Sequence, residues 1–447
     1  MNEILAIPEI RELDGRRHLI RIPDQLDVPL TPRVRQIIDT AEFHRLTRIT
    51  QLGLVSLVYP AAHHTRFEHS LGVYRMALLF LRRLAHDPRF CEVVEAPDAE
   101  VFIAAALLHD LGHWPFCHPI EDLDLPGVPE HELFANSLIL ESEIADILRD
   151  DWHINPRDVV ALLSEKPPGA AARVLQSMLS GPIDIDKMDY LYRDSLHAGV
   201  PYGCHFDQSR LIGSLCLNAT GDGLAITEKG RTAAEMMVFA RYVMFSEVYW
   251  HHAVRAATAM LQRAFYLLYM QLDLDAVFRL TEQEMVDTMR RVAGGGPAAE
   301  LLDGLFGPVR QLYKRVAQYS FLEHRALYSR LARRRYPWLV ACSEHFAAVA
   351  SRRIGRRFAP HEILWDAPPV HLEVEFQVPV FYHRENVYRM LGEVSPVVQT
   401  LARRQFDDYV KRVRLFVHPA VAPVLTGRDD LQDMVEEAIN LTEQSSP

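Results

Sequence analysis

The stretch that most constrains this 447-residue chain runs from Val101 to His118. An apolar run reaches Leu107-Leu108 and then meets His109-Asp110-Leu111-Gly112-His113-Trp114-Pro115-Phe116-Cys117-His118. The apolar part reads as the last turns of a buried helix. Gly112 supplies a C-terminal stop, and Pro115 forbids continuation. His109 and Asp110 are therefore expected where a buried helix gives way to a loop. An apolar helix that delivers an imidazole and a carboxylate, with two more histidines just beyond, is costly unless something binds them. A divalent metal is the simplest such partner.

The rest of the sequence narrows the setting. The chain is long enough for a core and two or three subdomains. Its net charge of -11 gives no global basic field to draw it to nucleic acid or membrane. The five cysteines form no C-x-x-C pair, which argues against a zinc ribbon or a disulfide framework and fits a reducing compartment. The start of the chain lacks the order of a signal peptide. No apolar run approaches the ~20 residues of a membrane span. These features predict a cytoplasmic protein with no membrane partner.

Taken in order, Asp14-Gly15 is a turn and His18 to Ile22 a short strand. Thr31 and Pro32 open a helix, expected from Val34 to Thr50, with Ile37, Ile38, Phe43, Leu46 and Ile49 on its apolar side. Thr65 and Glu68 have capping-box spacing at the start of a helix through Leu84, which places Arg66 and His69 one turn apart beside free backbone N–H groups. Glu121 falls in a loop or short helix, and His131 stands at the start of another helix. A helix from Gly181 onward puts Asp186, Tyr190 and Asp194 on one face with Lys187 near its edge. Leu211 to Thr227 reads as a hairpin. A long helical stretch from Thr232 to Tyr269, broken at most once, carries Arg241, Phe245 and Tyr249 on one face. Residues 270 to 335 are helical in composition, with a joint at Gly294-Gly295-Gly296-Pro297. Eight arginines between Arg330 and Arg357 form a basic region suited to a nucleotide, single-stranded nucleic acid or an acidic neighbouring subunit, or simply to a solvated helix face. Val370 to Tyr382 alternates as a strand, and Val413 to Val417 is a second. With a helix from Val397 to Val410 between them, they predict a small sheet that closes the chain.

Four candidate ligands stand out: His69, His109, Asp110 and either Asp184 or Asp186. Two imidazoles and two carboxylates suit iron, manganese, zinc or magnesium. Such an ion polarises a phosphoryl oxygen and acidifies bound water. Arg66, Lys187, Arg241, His113 and His118 are phosphate-binding types. The site thus favours phosphoester or phosphoanhydride hydrolysis.

The sequence resembles the HD-domain phosphohydrolases, and within them the deoxynucleoside triphosphate triphosphohydrolases of the SAM-and-HD type and their bacterial relatives. The resemblance rests on Gln51-Leu52-Gly53, Arg66 to Val73, His109 to His118, His131-Glu132, Ile183 to Tyr190 with Asp194, Gln405 to Val410, and Leu415 to Pro419. It implies a mainly α fold: a lead-in over 1–38, a helical HD-domain core over 39–270, a helical extension with the basic region over 271–360, and a small C-terminal α+β subdomain over 361–447. It implies His69, His109, Asp110 and Asp186 as metal ligands, choosing Asp186 over Asp184. Arg66, Lys187, Tyr190 and Arg241 match the substrate-contacting residues, and His113 and His118 match phosphate-facing residues. His131 matches the general acid. Glu121 matches an acidic partner for an active-site histidine. Gln51 and Asp194 match contacts to the sugar 3′-hydroxyl, and Leu52 and Tyr249 match walls that exclude a 2′-hydroxyl. The implied reaction releases deoxynucleoside and inorganic triphosphate from a dNTP, with room for a second ion, Mg, on the triphosphate.

The resemblance also implies a homo-oligomer. Nucleotide-activated relatives carry a glutamine and an arginine where this chain has His44 and Thr47, so activation by another nucleotide and constitutive activity both remain open. Two other readings stand beside this one. The same metal site serves a nucleotidase, a phosphodiesterase or a nuclease. A nucleotide- or nucleic-acid-binding regulator would keep the core as scaffold and work through the arginine-rich region.

Overall fold

The computed structural model describes residues 3–163, 169–370, 377–402, 408 and 410–445. The fold is mainly α, as expected. The described strands are β1 (Leu19–Ile22), β2 (Leu26–Pro29), β3 (Leu215–Leu217), β4 (Leu224–Thr227), β5 (Lys314–Tyr319), β6 (Ile363–Asp366), β7 (Pro379–Tyr382), β8 (Val387–Met390) and β9 (Val413–Val417). The chain divides into two compact units. One comprises Met1–Trp114, Pro129–Met244 and Glu375–Arg404; the other comprises Pro115–Val128, Phe245–Val374 and Gln405–Pro447.

The first unit is built on helices α1 (Pro32–Ile38), α2 (Arg66–Leu84), α3 (Ala96–Leu108), α4 (His131–Leu140), α5 (Ile185–Ala198) and α6 (Arg231–Met244). Thr31 caps α1 by accepting the Val34 N–H, with Pro32 in its first turn. The helix expected to run on to Thr50 instead stops at Ile38, because Thr40 accepts the Phe43 N–H and starts a new turn at Ala41. All five apolar residues expected on this segment are nonetheless buried. Helix α2 is the central strut: Val73, Tyr74, Ala77, Leu78, Phe80 and Leu81 are fully buried, and it packs on both α3 and α5. Thr65 caps it at the Glu68 N–H. Only half of the capping box forms, because the Glu68 carboxylate turns to Arg193 and His197 instead.

Helix α3 is buried continuously from Phe102 to Leu108 and ends there, with His109 at its C-cap. Gly112 is not the left-handed stop that its position suggested. Its space is filled by α4, and a Cβ on it would lie 2.1 Å from the His131 carbonyl oxygen. The glycine permits a close helix approach. Strands β1 and β2 form a hairpin, of which only the first strand was expected. A four-stranded sheet has the order β3-β4-β7-β8, with β4 and β7 parallel. Within the stretch expected to be one strand from Val370 to Tyr382, Leu372, Val374 and Phe376 lie outside the described residues.

The second unit carries α7 (His252–Leu268), α8 (Tyr336–Ile354), α9 (Leu431–Ser445) and a sheet of order β5-β9-β6. The helical stretch expected from Thr232 breaks once, at a π-turn over Phe245–Tyr249. The Gly294 to Pro297 joint separates helices Glu282–Ala293 and Pro297–Phe306. Strand β5 corrects the all-helical reading of residues 270 to 335. Its residues lack strong apolar alternation because it is an edge strand, exposed at its start. Strand β9 forms as expected, with all five residues buried, but it belongs to a different sheet from β7. The chain closes on α9 and not on a sheet. Of the helix expected from Val397 to Val410, Pro396–Ala402 forms, and the residues between Ala402 and Asp408 lie outside the described set together with most of the Gln405 to Val410 motif.

Helix α9 also answers the arginine-rich region. Arg330 and Arg334 pair with Glu443, Arg352 and Arg353 with Glu437, and Arg333 with Asp408. Four of the eight arginines are thus paired with α9, while Arg335 lies 3.9 Å from Asp124. Among the described residues no helix is long and apolar enough to cross a membrane.

Candidate metal centre

Helices α2 and α3 bring His69, His109 and Asp110 together as a group that could hold a metal ion, and α5 sets Asp186 against its two histidines. His69 Nε2 lies 3.0 Å from Asp186 Oδ1, 3.3 Å from His109 Nε2 and 3.9 Å from Asp110 Oδ2. His109 Nε2 lies 3.4 Å from Asp110 Oδ1 and 3.8 Å from Asp186 Oδ1. Ligand atoms at about 2.1 Å from one ion stand roughly 3.0 to 3.4 Å apart at 90° to 109°, which the three shorter separations match, and the two longer ones stay under the ~4.2 Å of ligands on opposite sides of one ion.

The tautomers fit as well. His69 Nδ1 lies 2.8 Å from Asp189 Oδ2, and His109 Nδ1 lies 3.0 Å from the Ala106 carbonyl oxygen. Each acceptor fixes the proton on Nδ1, which leaves both Nε2 lone pairs facing each other and two carboxylates. These electron-rich atoms repel one another unless a proton or a metal ion lies among them. Without a metal ion, a proton on His69 Nε2 would take that place. Burial works to lower its pKa, yet the Asp186 and Asp189 carboxylates bring the imidazole up to about 10.

Asp184 faces elsewhere. One of its oxygens caps α5 at the Lys187 N–H and the other takes the Lys187 ammonium, both at 2.6 Å. Burial lifts its carboxyl to about 6 against the pull of Lys187. Of the two aspartates left open by spacing, Asp186 is the one whose carboxylate faces His69.

Two other sequence candidates of the first unit, Arg66 and His113, touch Asp110 directly. Arg66 donates from Nη1 to Asp110 Oδ2 at 2.6 Å, and His113 Nδ1 lies 3.1 Å from Asp110 Oδ1. Burial raises the Asp110 carboxyl, but His113 and Arg66 hold it well below the usual carboxylate range. The His113 and His131 rings stand 4.0 Å apart, an approach that Gly112 makes possible. Residues 49–51 run antiparallel to 64–66, with the Gln51 N–H bonded to the His64 carbonyl. This sets Gln51 and Leu52 beside the start of α2. Gln51 Oε1 and Arg66 Nε are buried with no hydrogen-bond partner among the described residues. Asp194 is buried and lies 2.9 Å from His64 Nε2. Tyr190 follows Lys187 on α5, and Arg241 is buried on α6.

Three candidates belong to the second unit. His118 Nδ1 lies 3.6 Å from Glu121 Oε2 on the short helix Cys117–Glu121, and the His118 side chain is 61% exposed. Tyr249 packs edge-on against Phe245.

Sequence reasoning missed the layer behind the ligands. Asp189 accepts from Arg193 Nε and Nη2 at 2.8 and 2.7 Å, and Arg193 Nη1 reaches Glu68 at 2.8 Å. His197 binds the same Glu68 oxygen and stacks on His64. The i,i+4 spacing of Asp189 and Arg193 was the available signal.

A model of the HD domain matches residues 66–194, and a model of the HD associated region matches 206–443. The uncharacterized protein YwfO of Bacillus subtilis is 38% identical over 230 residues, 51% of this chain and 50% of that protein. The chain therefore spans half the length of that relative. The uncharacterized protein MJ1154 of Methanocaldococcus jannaschii is 31% identical over 388 residues, 86% of this chain and 76% of that protein. Deoxynucleoside triphosphate triphosphohydrolase SAMHD1 of Gallus gallus is 29% identical over 295 residues, 59% of this chain and 47% of that protein. A solved structure of a hypothetical protein from Aquifex aeolicus superposes with a TM-score of 0.69 at 26% identity, covering 94% of this chain and 99% of that one.

Proposed function

We propose, from the premise that the chain belongs to the HD-domain family and carries its HD-associated region, that it is a metal-dependent phosphohydrolase converting dNTPs to deoxynucleoside and inorganic triphosphate. The observation that carries this reading is the approach of the His69 and His109 Nε2 atoms, each with its Nδ1 facing an acceptor, to Asp110 and Asp186 oxygens. His69, His109, Asp110 and Asp186 would hold one divalent ion: iron, manganese, zinc or magnesium. When bound, such an ion supplies Lewis-acid polarisation of a phosphoryl oxygen and a water acidic enough to attack.

The chain's own groups do the rest. Arg66 and Lys187 bind phosphate oxygens and balance the charge that develops on them. The buried Arg66 Nε, without a protein partner, is a donor suited to an anionic ligand. His131 carries the proton to the leaving 5′ oxygen, and His113, against its ring, orients it. The unpartnered Gln51 Oε1 accepts from a sugar hydroxyl, with Leu52 and Asp194 as further sugar contacts. Assembly into a homo-oligomer belongs to the same reading, supported by the resemblance alone.

The test is a product assay with each of the four dNTPs, and with dGMP, in several divalent metals, with His109→Ala alongside. Deoxynucleoside plus triphosphate, lost in the variant, is the expected result. Phosphate from dGMP alone would make the protein a nucleotidase, and no turnover with any metal would refute the enzymatic reading.

A further inference from the structure

Behind His69 lies a buried construction with more parts than helix packing requires. The Asp189 carboxylate and the Arg193 guanidinium are 3% and 1% exposed. Arg193 grips both Asp189 oxygens, and its third nitrogen reaches Glu68 Oε1 and the Pro23 carbonyl. The Asp189 oxygen that Arg193 Nε holds is the one facing His69 Nδ1. Gly72 sits three residues beyond His69 on the same face of α2. A Cβ there would stand 2.0 Å from Asp189 Oδ1 and 2.4 Å from Arg193 Nη2. The absent side chain is what lets the ion pair lie flat against α2.

We infer that Asp189, clamped by Arg193 over Gly72, is a positioning residue that sets metal affinity by holding His69 with Nδ1 protonated and Nε2 bare. The inference rests on the metallohydrolase reading. Two arguments support it. A buried ion pair is seldom more stable than apolar packing of the same volume, so stability alone gives no reason to keep this one. The two ligand histidines are also unequal, since His109 Nδ1 meets a neutral carbonyl whereas His69 Nδ1 meets a carboxylate. A carboxylate makes the opposite nitrogen the stronger donor, and loss of such a partner typically costs about 10–100-fold in metal affinity.

The experiment titrates Zn2+ into metal-stripped full-length protein against a chelating dye, for wild type, Asp189→Asn and Gly72→Ala, and records thermal unfolding of each apo form. The expected result is a roughly 10–100-fold weaker Zn2+ affinity in Asp189→Asn, with Gly72→Ala moving the same way. A lowered apo melting temperature with unchanged Zn2+ affinity would mean that the pair is merely structural, and would overturn the inference. Should both variants fail to fold, wild-type protein carrying 15N-labelled histidine and loaded with Zn2+ decides. His69 bound through Nε2 with a slowly exchanging Nδ1–H supports the inference, and coordination through Nδ1 overturns it. If wild type binds no more Zn2+ than His109→Ala, the metal centre itself fails and the inference falls with it. Equal binding by wild type and Asp189→Asn removes only the role of Asp189.

Discussion

Gly112→Ala should disable the protein without emptying its metal centre. The added Cβ would meet the His131 carbonyl oxygen at 2.1 Å, the Ala135 nitrogen at 2.7 Å and the Ala135 Cβ at 2.8 Å. Two of these atoms are backbone, so no side-chain rotation relieves the clash. Ordinary contact begins near 3.4 Å, so α4 must retreat by roughly 1.3 Å along the contact with His131. Overpacking of this kind costs about 1–3 kcal/mol of stability. A displacement of about 1 Å at a catalytic group costs on the order of 100-fold in rate. None of the four candidate ligands lies on α4, and the shift reaches them only through His113 beside Asp110, so Zn2+ affinity should fall less than turnover does. The assay is dNTP turnover beside urea unfolding and Zn2+ titration. A variant that keeps wild-type turnover would show that the His113–His131 approach is not used in the reaction.

Three further outcomes follow from individual contacts. Asp366→Ala leaves Arg255 buried without its carboxylate, which it now grips from both Nε and Nη2, and should lose about 3–5 kcal/mol in urea unfolding, with Arg255→Met in the same chain restoring most of it. Asp184→Ala removes both the α5 cap and the anchor of Lys187, so it should lower stability by about 1 kcal/mol and raise the KM for dNTP more than it lowers kcat. Glu443, hydrogen-bonded by Arg330, has its carboxyl held below the ordinary 4.5, so its contribution is present above that pH and fades as pH falls through the lower folded value. Glu443→Gln should flatten the acid side of a melting-temperature profile and change the neutral value by less than about 1 kcal/mol.

What the sequence disclosed divides along one physical line. Signals written within one or two helical turns were legible: the Thr31 and Thr65 caps, the end of α3 beside His109, and the shared face of Asp186 and Asp194. Signals that depend on a partner far along the chain were not. Gly112 shows the mechanism of such an error. A glycine after an apolar helix ordinarily ends it, but here the helix had already ended and the small residue serves α4. The arginine-rich region shows it again. Arg330 meets Glu443 across 113 positions, and no local pattern announces that four of the eight arginines pair with α9. Strand β5 escaped because an edge strand need not alternate.

The pair Asp189 and Arg193 is the most instructive case, because its spacing was in plain view. On an exposed helix an i,i+4 acid–base pair is a solvated decoration worth a few tenths of a kcal/mol, roughly 0.3–0.5. Burial changes its meaning. With both side chains almost wholly enclosed, each charge must be fully matched, and the groups that match it become fixed in orientation. One of those groups is His69, whose other nitrogen points at His109 and Asp186. The consequence for the metal centre follows from this coupling. A change at Arg193 or Gly72, neither of which is among the four ligands, should be felt at His69 Nε2 through a single carboxylate. Arg193→Met should therefore weaken Zn2+ binding although it removes no ligand. An unaltered affinity in a folded Arg193→Met protein would show that Asp189 holds His69 without the help of its clamp.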